Sequence, residues 1–230
     1  VDLGINTDAV CSIMKADGTI LARKFIDFAS DKDRMIHAMN RTRRKQSKYG
    51  PKSARGLWAY VKRLNEDRAK KISAAIVEFA SQHSVDAIVM EHLDFKGCKK
   101  RGSKAQRLSM WNHGIIREKV EQKAHLLGIR IATICAWKTS ALAFDGSGSV
   151  ARDDNNHALA AFTTGKQYNC DLSAAYNIGA RYFIRELLKP LPETERSSLE
   201  AKVPAVKRRT SCVYADLLIL QNEYGCSKAA

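Results

Sequence analysis

Three acids stand where a carboxylate could do chemistry: Asp2 in VDLGIN, Glu91 in SVDAIVMEHLD and Asp171 in DLSAAYNIGARY. Helix offsets of three and four put Asp171, Ala174, Ala175, Ile178 and Tyr182 on one face, the packing side. A carboxylate buried there costs several kcal/mol unless something compensates it. Asp171 is therefore either an N-cap or one member of a cluster. In VDLGIN the alternation sets Asp2, Gly4 and Asn6 against Val1, Leu3 and Ile5, and in the later run Glu91 shares a face with Ala87 and Val89. If these two strands are parallel neighbours, Asp2 and Glu91 lie side by side, and a helix crossing that edge brings Asp171 to them. Three carboxylates about 4 Å apart would repel by about 4 kcal/mol per pair at an effective dielectric of about 20. Such a cluster needs protons or hard cations, and Mg2+ or Mn2+ suits oxygen ligands. Two ions about 4 Å apart could activate water and stabilise the leaving oxygen of an in-line phosphodiester displacement. Gly4 would then leave room for the phosphate, and Asn6 reads as a strand end. Taken singly, Glu91 reads as a strand-end surface residue; the cluster rests on the three acids together.

The elements that must position these acids follow from periodicity. Residues 1 to 28 read as three short strands, the second and third joined by a turn at Asp17 and Gly18. From Ser30 the pattern is helical and basic, broken at Gly50 and Pro51. A second helix, about 54 to 83, carries an apolar stripe at Leu57, Val61, Leu64, Ile72, Ile76 and Phe79, with Lys62, Arg63, Lys70 and Lys71 off it. SVDAIVMEHLD reads as a buried parallel strand. Ile116, Val120, Ala124 and Leu127 mark a helix ending at Gly128, and IRIATIC is a fifth strand. Between Trp137 and Cys170 the spacing predicts a connection with a short helix near 157 to 162. The GSG at 146 to 148 reads as a flexible connection, since it lacks the strand and helix setting of a phosphate loop. The long helix from Asp171 follows. The order is that of an α/β domain, with a tail carrying KVPAVKRR and VYADLLIL.

The chain has 230 residues, 45% apolar, enough for one sizeable core. It starts on a strand without Met, which reads as a segment of a larger protein. Its 39 Lys and Arg against 24 Asp and Glu give +15, which favours an anionic partner such as nucleic acid. No apolar run approaches the roughly 18 residues of a membrane span, no signal-peptide pattern opens the chain, and the six scattered cysteines form no CxxC pair. A cytoplasmic protein with reduced thiols is expected. RTRRKQSK, with Arg41, Arg43, Arg44 and Lys45, and FKGCKKRGSKAQR, with Lys99, Lys100 and Arg101, are candidates for phosphate contact; the alternative is a solvated basic face. Like charges at helix spacing repel by a few tenths of a kcal/mol per pair, which favours a counter-charge. Arg152 sits where a substrate-contacting loop could be. His92 points away from Glu91 by strand parity, and Trp111 reads as core packing before base stacking.

Taken in order, DLGIN, IVMEHL and DLSAAYNI resemble the three motifs of a RuvC-like nuclease domain, an RNase H-like fold, in the form found in type V CRISPR effectors and transposon-encoded TnpB proteins. LSMWNHGIIREKVEQKAHLLGIRI is similar to the family's segment between its second and third motifs. The resemblance covers most of residues 1 to 188. It implies a mixed five-stranded sheet flanked by helices, a basic helical insertion at about 30 to 83, and a C-terminal helical extension over 189 to 230. Asp2, Glu91 and Asp171 fall on the family's metal-binding acids, implying two Mg2+ or Mn2+ ions. The implied function is phosphodiester hydrolysis in an RNA-guided CRISPR effector of a prokaryotic cell, cutting DNA or processing precursor guide RNA. Its partners would be guide RNA, target DNA and the rest of the parent chain. The alternative is a guided DNA-binding module whose RuvC-like fold is only a scaffold. The family's zinc ribbon would fall at about 136 to 170. Thr139 and Ser140 match its start, but the two Cys pairs are missing, and Cys135, His157 and Cys170 are a scattered set. Structural zinc needs four ligands and is not expected.

Overall fold

The computed structural model describes residues 1–93, 110–153, 156 and 158–229. Strand β1 (Ala9–Met14) and strand β2 (Ile20–Ile26) form an antiparallel hairpin. Gly18 turns it at φ 90°, Lys15 N–H donates to Thr19 O at 2.9 Å, and Thr19 N–H donates to the Asp17 carboxylate at 2.8 Å. Helix α1 (Ala29–Tyr49) and helix α2 (Arg55–Gln82) follow, joined through Gly50 and a 3-10 turn at Pro51–Ala54. On α2, Val61, Ile72, Ile76 and Phe79 are buried as the stripe requires, Leu57 and Leu64 are half-buried, and Lys62, Arg63, Lys70 and Lys71 are exposed.

Strand β3 (Ala87–His92) pairs in parallel with strand β4 (Arg130–Cys135), so that Glu91 stands opposite Ile134. Between them in sequence runs helix α3 (His113–Leu126), which buries Ile116, Val120 and Ala124. Leu127, expected on that stripe, is its C-cap and is exposed, because the chain turns there into Gly128 at φ 71°. The main core joins β1, β2, α2, β3 and α3.

Two expectations for the strands need correction. VDLGIN forms no strand; its backbone pairs with β1 in an isolated antiparallel bridge of Asp2 with Val10. The reason is local: a Cβ on Gly4 would lie 2.5 Å from Thr7 O, so the backbone folds back over residues 4 to 7 instead of continuing extended. The described strands then form three separate ladders of two, two and three strands, not one five-stranded sheet. β1 and β3 face each other across a groove of about 940 Å³ lined by Cys11–Met14, Val85–Val89 and, from the long helix, Ala175, Gly179 and Tyr182.

Strands β5 (Ala151–Arg152), β6 (Leu159–Ala161) and β7 (Gln167–Asn169) form an antiparallel sheet where a short helix was expected. The GSG segment leads out of a turn at 144 and 145, and Ala143 N–H donates to Gly148 O at 2.8 Å. Ala143, Ala160, Phe162 and Cys170 give this sheet its own apolar core, and four rings surround Phe144 at 4.8, 5.4, 5.6 and 6.1 Å.

Helix α4 (Cys170–Leu188) is buried nearly all round. Its predicted face of Ala174, Ala175, Ile178 and Tyr182 is buried. Its other side, through Ala180, Ile184 and Leu188, is covered by helix α5 (Glu193–Lys202), a 3-10 turn at Pro204–Arg208 and helix α6 (Tyr214–Ala229). No helix among the described residues is long and apolar enough to cross a membrane.

Candidate active site

The carboxyl ends of parallel strands are where an open α/β sheet leaves a crevice for ligands, and Glu91 stands at that end of β3, half-buried. Asp2 is buried, held by two backbone bonds: its N–H donates to Val10 O at 2.9 Å and its O accepts from Val10 N–H at 2.8 Å. Asp171 lies in the first turn of α4, where the positive end of the helix dipole favours a carboxylate. It is not the N-cap. Asn169 fills that role, its side-chain oxygen accepting from Leu172 N–H at 2.8 Å, so the Asp171 carboxylate is left for other work.

Electrostatics tie the three acids together. Burial, then the charges of Glu91 and Asp171, hold the Asp2 carboxyl well above the usual carboxylate range, against the opposing pull of the N-terminal ammonium and Arg152. Burial also raises Glu91, opposed by its hydrogen bond from Thr139 and the positive charges of the N-terminus and Arg181. Burial raises Asp171 in the same way, opposed by Arg152 and a hydrogen bond from the Thr7 side chain. All three carboxyls are thus held above the usual carboxylate range, with burial the first cause in each. The described donor set is carboxylate only, with neither thiolate nor imidazole, which is the chemistry of a hard divalent cation. As the side chains stand, no group of three or more His, Cys, Asp or Glu among the described residues is gathered closely enough to hold an ion.

Two threonines orient the acids, and neither role was legible in sequence. Thr7 reaches Asp171, and the fold-back that delivers it passes Gly4, where a Cβ would lie 2.5 Å from Thr7 O. Buried Thr139 donates its hydroxyl to Glu91 Oε1. Thr139 is fixed in turn by Asn177, whose Nδ2 donates to Thr139 O and Leu142 O, both at 2.9 Å, and whose Oδ1 accepts from Tyr214 N–H at 3.0 Å. One turn on, Arg181 donates through Nη1 to Cys135 O at 2.9 Å and Trp137 O at 2.8 Å, and through Nε to Cys212 O at 2.9 Å. The signal available in sequence was this polar pair four residues apart in the middle of a helix whose neighbouring positions are mostly apolar.

Of the basic candidates, Arg152 lies beside the acids: it is exposed on β5, influences Asp2 and Asp171, and donates to Ser140 Oγ at 3.0 Å. Arg41, Arg43, Arg44 and Lys45 are exposed on α1. Lys99, Lys100 and Arg101 lie outside the described residues, as does His157. His92 is exposed, while Trp111 is half-buried with its ring 5.3 Å from that of His113. Cys135 is exposed and Cys170 buried.

No protein-family model matches the chain, and no curated protein does. Among solved structures it is similar in fold to a chain of a cryo-EM structure of a Cas12f1-sgRNA-target DNA complex, with a TM-score of 0.56 and 20% identity. The match covers 76% of this chain and 47% of that one, so the present chain corresponds to about half of the other's length.

Proposed function

We propose that this chain is the RuvC-like, RNase H-like nuclease part of an RNA-guided effector and hydrolyses phosphodiester bonds at Asp2, Glu91 and Asp171. The observation that carries the reading is the electrostatic coupling of Asp2 to both other acids in a buried setting. A scaffold gains nothing from burying mutually repelling carboxylates. Similarity in fold to a Cas12f1 solved with sgRNA and target DNA, and a formal charge of +15, support nucleic acid as the substrate class.

Asp2, Glu91 and Asp171 would hold Mg2+ or Mn2+, two ions in the full site, which when bound supply Lewis acidity toward the phosphate and activate the attacking water. The protein's part is positional. Thr139 and Thr7 fix the Glu91 and Asp171 carboxylates, Arg152 offers positive charge at the rim for a phosphate, and Asn177 keeps the Thr139 loop in place. Cleavage of target DNA, single-stranded DNA and precursor guide RNA, each with Mg2+ and with EDTA, tests the reading and names the substrate. A Mg2+-dependent cut in one of them is expected; no cut in any leaves a binding module.

The basic face of α1 extends the proposal to binding. Neutralising Arg43, Arg44 and Lys45 together should flatten the slope of log affinity against log salt by about 0.7 to 0.9 for each phosphate that the variant no longer neutralises. Titration of nucleic acid at several salt concentrations measures it, and an unchanged slope returns the segment to solvated surface.

A further inference from the structure

Five consecutive residues after β4 carry a second set of features. Ala136 O accepts from Thr139 N–H at 3.4 Å to close a turn. Trp137 is 62% exposed, although its backbone is firmly held by Arg181, a guanidinium only 3% exposed. Lys138 takes the left-handed conformation, φ 56°, and its ammonium lies 5.7 Å from the centre of the Trp137 ring. Thr139 holds Glu91, and Ser140 receives Arg152. An indole left open to water on a rigid loop forgoes the burial a Trp normally gains. Here it sits two residues, at most about 7.6 Å of Cα path, from the threonine on a site carboxylate, with a cation at its face. Among the described Phe, Tyr and Trp residues only Tyr49, on α1, is more exposed than Trp137.

We infer that Trp137 is a stacking platform for one unpaired base of the nucleic-acid strand that enters the carboxylate site, with the Lys138 ammonium taking the adjoining phosphate. The inference rests on the nucleic-acid reading of that site and adds how the strand is held. Stacking needs only a π face, so the platform accepts any base and requires a single strand, DNA or RNA. The aromatic ring and the charge then make separable contributions: one independent of salt, the other removed by it.

The test uses dodecamers of oligo-dT and oligo-rU and an abasic dodecamer of the same length, bound to the purified protein without metal. Trp137→Ala should weaken binding of the based strands about 5- to 150-fold, the range expected for removing one base–aromatic stack. It should leave both the salt slope and affinity for the abasic strand unchanged. Trp137→Phe, which keeps a π face, should retain most of the affinity and guards against misfolding of the alanine variant. Lys138→Ala should instead lower the salt slope by about 0.7. The relative loss on oligo-dT and oligo-rU shows which strand the platform holds. Wild-type affinity in Trp137→Ala, or an equal loss on the abasic strand, overturns the inference. A Mg2+ cleavage assay on the same preparations keeps the two readings apart: absent cleavage with an intact Trp137 effect removes the nuclease and leaves the platform.

Discussion

On the proposed nuclease reading, Asp171→Asn should lower the rate of Mg2+-dependent cleavage by at least about 10³-fold while leaving nucleic-acid affinity within about twofold. The first figure follows from charge: an ion clamp contributes several kcal/mol to the transition state, and about 4 kcal/mol corresponds to three decades in rate. The second follows because binding energy comes mainly from phosphate contacts with Lys and Arg. Asn keeps the size of Asp and can still accept the Thr7 hydrogen bond, so the variant tests charge more than shape. Asp2→Asn and Glu91→Gln should behave alike. Thr139→Val should fall between, losing about 10- to 100-fold as expected for a residue that orients a ligand from behind, and Thr139→Ser should recover most of it, because the hydroxyl to Glu91 is restored. Single-turnover cleavage with saturating protein measures all five. An active Asp171→Asn removes that acid from the site, and a Thr139→Val as impaired as Glu91→Gln would indicate collapse of the loop and not misorientation.

What could be read in the sequence and what could not divides along sequence distance. The α2 stripe was legible because Val61, Ile72 and Ile76 repeat at helix spacing within one element. The hairpin turn at Gly18 was legible for the same reason. The three acids could be nominated from their separate settings, but their coupling depends on elements far apart along the chain. Thr139 and Glu91, 48 residues apart, meet only in three dimensions. VDLGIN has the alternation of a strand and fails to be one because of a contact between Gly4 and Thr7 that alternation does not encode. The segment near 159 to 161 is too short for its period to separate helix from strand, and its pairing with β5 and β7 decides the matter. Which strands join one sheet is likewise non-local: the five-stranded sheet came from the family resemblance, and the described strands form separate ladders.

The same non-local logic yields the largest expected effect on stability. Asp8, 1% exposed, ends the segment that begins with Asp2, and its carboxylate binds Arg68 of α2 through Nη2 and, at 3.4 Å, through Nε. It also accepts from Phe28 N–H at 2.9 Å and lies 3.1 Å from the Lys32 ammonium of α1. This clasp ties the segment bearing Asp2 to both basic helices. Asp8→Ala leaves the Arg68 guanidinium, itself 6% exposed, without its counter-charge, and breaking a buried pair from one side costs about 3–5 kcal/mol. That is a large part of the roughly 5–15 kcal/mol typical of a whole domain. Adding Arg68→Met should return much of the loss, because an apolar pair no longer buries an orphaned charge. Burial alone would raise the Asp8 carboxyl, but the bonds from Arg68 and Phe28 and the charges of Arg68 and Lys32 outweigh it and hold it below the usual range. A depressed folded pKa makes its contribution complete above the unfolded value, near about 4, and lost as pH falls through the folded one. Urea unfolding of the wild type, Asp8→Ala and the double variant should therefore show a wild-type advantage over Asp8→Ala that is constant near pH 7 and shrinks in acid. An advantage under about 1 kcal/mol at pH 7, or one that grows on acidification, would show that the clasp does not hold these elements together.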